Sequence, residues 1–240
     1  MKFSLIALMT AAFLAQSGFA ENLINLSGSL TDSGVAPVYG LDISQTASVV
    51  TGTGTTENLV VVGAGERDEG AIATYVAQLL IPASAKAGYA NVDESSVLDY
   101  LSKLDVVAMD LYVLPPLIGI PSGLLASSLS KSQAANVSAG VIPQDAGILA
   151  GLSDLSKLVK SAGRAPYHSH IQIVWLHRND GDYVGFQPGT PNTVWTKAEP
   201  NGFARAVLSF WFGNVDEDSN LADLKTNLVN YMKDYLKGNP

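Results

Sequence analysis

Arg67 comes directly after a glycine-bearing apolar run, Leu59-Val60-Val61-Val62-Gly63-Ala64-Gly65, with Glu66 and Asp68 on either side. A guanidinium at the mouth of two apolar strands is suited to pinning a carboxylate or phenolate while the walls bury a tail. The alternative is an exposed Arg67 paired with its neighbouring acids, and the local sequence taken alone favours that simpler state. The same glycines invite a dinucleotide-binding reading, in which backbone amides approach a pyrophosphate. Asp68 stands where that fingerprint needs its third small residue, and its carboxylate would face phosphate. The segment after Asp68, moreover, has the pattern of a strand and not of a helix. A tight turn between two sheet strands is therefore the expectation for Gly63-Ala64-Gly65, and no cofactor is expected.

The other candidates are weaker. The chain has 3 histidines. His168 and His170 share one face if they lie on a strand, a geometry a metal can use, but His177 falls on the opposite face by parity. Surface histidines on an edge strand, with no metal, are the expectation. No Gly-x-Ser-x-Gly turn presents a serine nucleophile, and the complete absence of cysteine excludes thiol nucleophiles and thiolate metal sites. Asp216, Glu217 and Asp218 stand at a helix start, where they complement the helix dipole as solvated caps.

These residues must be held by elements that the pattern of apolar residues reveals. Residues 21–56, rich in Gly, Ser and Thr, suggest a loosely ordered arm with one or two edge strands around Ala47–Thr51. Asn58–Gly65 and Ala71–Pro82 read as strands. Asp93 caps a helix predicted to run to about Leu104, and Asp105–Leu114 returns to strand. Helices are predicted over Pro121–Ser132 and over Pro143–Ser161, the second with Pro143 in its first turn. Tyr167–Arg178, the turn Asn179-Asp180-Gly181 and a strand from Tyr183 form a hairpin, which Thr193–Thr196 extends. Helices over Gly202–Phe212 and Leu221–Leu236 end the chain. Without regular strand–helix alternation, the order predicts a single α+β domain with a largely antiparallel sheet.

The first residues carry Lys2, an apolar run from Phe3 to Ala15 and small residues at Gly18 and Ala20, the three-part pattern of a secretory signal cleaved after Ala20. That run is shorter than the ~20 residues a membrane-spanning helix needs. The expectation is an exported protein, periplasmic or secreted. Once Lys2 is removed, 13 basic residues face 22 acidic ones, a net charge of −9. Such a surface disfavours nucleic acid and anionic lipid. With 47% apolar and 15% charged residues the chain has the material for a core. Sequons at Asn25 and Asn136 would be glycosylation acceptors only in a eukaryotic secretory pathway.

The run Leu59–Ile81 resembles the first core hairpin of the chalcone isomerase-like family, in which a Gly-x-Gly-x-Arg turn leads into a strand of Tyr-Val-Ala-x-Leu type. Gly181-Asp182, Gln187-Pro188-Gly189-Thr190, Phe203 to Gly213 and Asp223-Leu224-Lys225 are similar to its closing strands and helices. The resemblance covers roughly residues 55–230. It implies an antiparallel sheet with helices on one face and a cleft for a hydrophobic ligand between them, formed by residues 55–237 after an arm at 21–54. It further implies that Arg67 binds the ligand. The other isomerase residues do not carry over: Val76 stands where a threonine is expected, with Thr74 and Tyr75 displaced, and Pro115-Pro116-Leu117-Ile118 offers no tyrosine. The implied function is a non-catalytic binder of a small hydrophobic or amphipathic molecule such as a fatty acid. The alternative is an intramolecular lyase acting on a conjugated ketone, with Arg67 and Tyr75 or Tyr112 as polar contacts.

Overall fold

The computed structural model describes residues 22–238 apart from 53, 70, 71, 115–118, 190–192, 216 and 217. The expected signal segment, Pro115-Pro116-Leu117-Ile118 and two of the three clustered acids, Asp216 and Glu217, lie outside the described residues. In chain order the elements are β1 (Ile24–Ser27), β2 (Thr46–Val50), β3 (Thr56–Glu69), β4 (Ile72–Pro82), α1 (Lys86–Tyr89), α2 (Val97–Leu101) and β5 (Val106–Val113). Next come β6 (Ile120–Pro121), α3 (Ser122–Ser138), α4 (Ala146–Ser161), β7 (Arg164–Ala165), β8 (His170–Arg178) and β9 (Gly181–Pro188). The chain ends with β10 (Val194–Trp195), α5 (Phe203–Phe212), α6 (Ser219–Asn230) and α7 (Lys233–Leu236). The described strands form an eight-stranded sheet in the order β1-β2-β3-β4-β5-β8-β9-β10, antiparallel at every step, and β6 pairs with β7 separately. The architecture is thus α+β with an antiparallel sheet, as the order of elements predicts.

Several boundaries differ from expectation for local reasons. The Asp93 carboxylate accepts from the amides of Ser95 and Ser96, closing a turn that delays α2 to Val97. Asp145 caps α4 by accepting from Ile148 N at 2.9 Å, so Pro143 lies outside that helix instead of in its first turn. The alanine- and serine-rich α3 continues past Ser132 to Ser138. The predicted last helix is two, broken so that Met232 turns into the core.

Gly63-Ala64-Gly65 is not a turn. β3 runs straight through it to Glu69, and a bulge at Val62 shifts the register against β4. A Cβ on Gly63 would lie 2.0 Å from the Leu228 carbonyl oxygen, and one on Gly65 would lie 2.7 Å from the Asn227 Cβ. These glycines are there because the backbone of α6 lies directly on the strand.

Both faces of the sheet are buried. One carries Leu79, Met109, Ile173 and Trp175 against α5, whose Phe203, Val207 and Phe212 are buried, and α6, with α3 and α4 packed outside. The other face carries Leu80, Ala108 and Val174, and the expected loose arm covers it with Leu23, Ile24, Leu30, Val35 and Ile43. Across this second face runs a row of polar side chains in register on adjacent strands: Gln78, Asp110, Gln172 and Gln187. Gln172 accepts from Ile24 N at 2.8 Å and donates to Ile24 O at 2.7 Å, while Gln187 accepts from Leu23 N at 2.8 Å. The sheet therefore curls until β1 lies over β8 and β9, with glutamine amides standing in for a strand edge. Gln78 accepts from Ser44 N in the same way.

Asp110, fully buried in that row, accepts from Gln172 Nε2 at 2.9 Å and from His170 Nδ1 at 2.8 Å. The hydrogen bond from His170 to the Asp110 carboxylate raises the imidazole pKa above its ordinary 6.5, with partial burial opposing. A raised folded-state pKa contributes stability that is fully present below about 6.5 and is lost as pH rises through the folded value. Urea midpoints of the wild type should fall across that window relative to Asp110→Asn, and the NMR titration of His170 should move down in the variant. For the glycine contact, Gly63→Ala should cost ~3 kcal/mol, the upper end for overpacking, because the obstructing atom is backbone. Gly123→Ala, whose Cβ meets nothing within 4 Å in the first turn of α3, should be neutral or stabilising by ~0.5 kcal/mol in the same urea experiment.

Candidate functional site

The bulge at Val62 turns Gly63, Gly65 and Arg67 toward the helices, and Arg67 pairs across the ladder with Tyr75. Both line a cavity of about 1080 Å³ between the sheet, α3 and the start of α6. Leu124, Leu125, Ser128 and Lys131 of α3 form one wall, with Leu124 exposed at the rim. Ile120, Ile171, Val215 and Leu221 supply apolar surface opposite, and Thr74 and Asn214 add polar groups. The volume is that of a site for a small organic ligand, and the mixture of apolar walls with a few convergent polar groups is what such sites show.

Arg67 is buried. Its Nη2 donates to Asp218 Oδ2 at 2.8 Å and its Nη1 to Ser128 Oγ at 3.3 Å. The Tyr75 hydroxyl accepts from Trp211 Nε1 at 3.4 Å and lies beside the Arg67 charge. That hydroxyl also carries a proton to donate, which suits a carboxylate or carbonyl oxygen. Burial pushes the Tyr75 pKa up, opposed by the nearby Arg67 charge, so the phenol keeps its proton at neutral pH. The floor of the cavity thus presents a cation and a neutral O–H donor side by side.

Asp218, expected as a solvated cap, does two things. Its Oδ1 accepts from Leu221 N at 3.1 Å, capping α6, while Oδ2 faces Arg67. The pairing of Arg67 with a carboxylate 151 residues away, and not with its neighbours Glu66 and Asp68, is the part the local sequence could not supply.

Tyr112 is not brought to this cavity. Alternation along β5 puts it on the other face, where its ring lies 5.5 Å from His168 and 5.1 Å from His170. His168 precedes β8 in a left-handed conformation (φ 62°), so the two histidines do not share a strand face. Groups of three or more His, Cys, Asp or Glu side chains able to hold a metal are absent among the described residues, and none of the described helices is long and apolar enough to cross a membrane. Sequence reasoning missed Ser128 and Lys131 as cavity residues because a helix with no clear apolar stripe gives no sign of which side faces a ligand, and Asp218 because its contact with Arg67 spans 151 residues.

The far wall is tied by Asn136. Its side chain is fully buried, donating to Ser132 O at 2.8 Å and Ser209 O at 3.1 Å and accepting from Asn214 N at 2.7 Å. These bonds join α3 to the end of α5 and to the cavity residue Asn214, and they close this sequon to modification in the folded chain. Asn25 is exposed on β1.

No protein-family model matches the chain, and no curated protein matches it. Among solved structures, one that is similar is a fatty-acid binding protein of Arabidopsis thaliana. It is 15% identical, the alignment covers 77% of this chain and 98% of that one, and the TM-score is 0.46. At that identity and score the likeness carries no argument about ligand or chemistry.

Asn136→Ala should lower stability by ~2–3 kcal/mol in urea unfolding, since it strands buried partners on two helices and a loop. It should also speed amide exchange at Asn214.

Proposed function

We propose that this chain is an exported, chalcone isomerase-like protein that binds a small amphipathic acid, such as a fatty acid, without transforming it. The observation that carries this reading is the buried Arg67–Tyr75 pair on the floor of a cavity of about 1080 Å³ whose walls are largely apolar. An acid group placed there would accept from the guanidinium and from the Tyr75 hydroxyl at once, and its tail would lie along Leu125, Ile171 and Leu221. Charge-assisted bonds of this kind fix orientation, and burial of the tail supplies most of the affinity. Export rests on the N-terminal signal pattern. Catalysis has less support: Tyr112 sits on the far side of the sheet, and the cavity carboxylate, Asp218, is engaged by Arg67 and by the cap of α6.

Native mass spectrometry of the mature protein, purified from its own compartment, should show a co-purifying acidic amphiphile. Arg67→Ala should lose it, with affinity for added fatty acid falling by at least about tenfold. An empty wild-type protein that also refuses added fatty acids would overturn the reading.

A further inference from the structure

The cavity has two unlike parts, and Arg67 stands where they meet. It touches α3 at Ser128, and α3 lines the cavity onward to Ser138, about 15 Å further along the helix. Toward the N-terminus of α3 the lining is buried and apolar, with Tyr75, Ile120 and Ile171. Toward its C-terminus the cavity is an open groove. Lys131, Ala134 and Ser138 are exposed along it, and Asn214 and Ser219 add an amide and a hydroxyl from the segment that leads into α6. None of the described ion pairs involves Lys131. The groove is also fixed in shape: Ser132 Oγ donates to Phe210 O at 3.0 Å and Asn136 Oδ1 accepts from Asn214 N at 2.7 Å, which holds α3 against the end of α5. It is therefore preformed, and an acyl tail laid in it would stay in water. A fatty acid with its carboxylate on Arg67 and its tail among the buried residues leaves the groove empty.

We propose that this groove holds a head group, and that the preferred ligand is a single-chain lipid in which a phosphodiester joins the tail to a neutral, hydroxyl-bearing head. The proposal rests on the acid-binding reading of Arg67 and Tyr75, and it names the class of ligand that fits the whole cavity. The linking group must keep its charge while bonded on both sides. A phosphodiester does so, whereas a carboxylate either ends the molecule or loses its charge on esterification. Arg67 and the Tyr75 hydroxyl face the non-bridging oxygens, the tail lies in the buried part, and the head runs along α3 past Lys131. The groove offers hydroxyls, an amide and an ammonium, groups that bond to the hydroxyls of a polyol without needing a second ligand charge. A cationic head would meet Lys131, and a more anionic one would meet the net negative charge of the chain. The small side chains of Ala134, Ala135 and Ser138 leave the width that such a head requires.

The test is isothermal titration calorimetry of the mature protein with a fatty acid, a lysophosphatidylglycerol and a lysophosphatidylcholine of one acyl chain length, each below its micelle threshold. The wild type should bind lysophosphatidylglycerol about tenfold tighter than either of the others, the worth of one or two hydrogen bonds to the head. Ala135→Leu and Ser138→Leu fill the groove with a good helix former, and circular dichroism and the urea midpoint check that each is folded. Each should remove that tenfold advantage and leave the fatty acid, which does not enter the groove, bound as before. Lys131→Gln should narrow the gap from the other side, by admitting the choline head. If the wild type takes the fatty acid but binds lysophosphatidylglycerol no tighter, or if the folded groove variants weaken all three lipids equally, the head-group role is wrong and the binding function stands. If the wild type takes none of the three, the binding function itself fails, and the role of the groove with it.

Discussion

The contact between α6 and the glycines of β3 sets the geometry of the helical face. Because Gly63 and Gly65 have no side chains, the α6 backbone comes close enough that the Leu228 carbonyl occupies the space of a Cβ. Seated there, α6 carries its capping residue Asp218 to the end of β3, where Arg67 emerges. A side chain at Gly63 would hold the helix off the sheet and move Asp218 out of reach of the guanidinium further along the strand. The ion pair, the cavity mouth and the buried position of Leu224 and Leu228 all depend on that one close approach.

The second face obeys a different constraint. A sheet buried on both sides needs two covers, and the helices supply only one. The N-terminal segment provides the other, and its backbone amides must be satisfied where no strand lies beside them. The row of Gln78, Gln172 and Gln187 does this, each side-chain oxygen accepting a backbone amide and Gln172 also donating to Ile24 O. Asp110 completes the row and is itself compensated by His170 at the surface. His170, Asp110, Gln172 and the Ile24 backbone thus form one connected chain of hydrogen bonds, the condition under which buried polarity stabilises one arrangement.

The two faces divide the labour. The curled, strap-covered face is filled by its own side chains and holds the sheet in shape. The helical face is packed closely around α5 but stands open beside α3, whose small residues leave a cavity over Arg67 and Tyr75. α3 is poor in large apolar side chains for a helix at the edge of a core, and that poverty is what leaves space for a ligand.

By itself the sequence determined the α+β class, most strands, the hairpin at Asn179-Asp180 and the presence of a cation among apolar strands, because period-two alternation, turn residues and caps are local physics. It did not determine which face Arg67 occupies. Simple alternation from Leu59 puts residue 67 on the face that the N-terminal strap covers, and the bulge at Val62 reverses it. Nor could it place Tyr112 away from Arg67, show that two glycines serve a helix contact and not a turn, or pair Arg67 with Asp218 in place of Glu66 or Asp68. Each of these depends on a residue far along the chain or on a one-residue shift in register. Such choices are settled only when the whole sheet and its two covers compete for the same space.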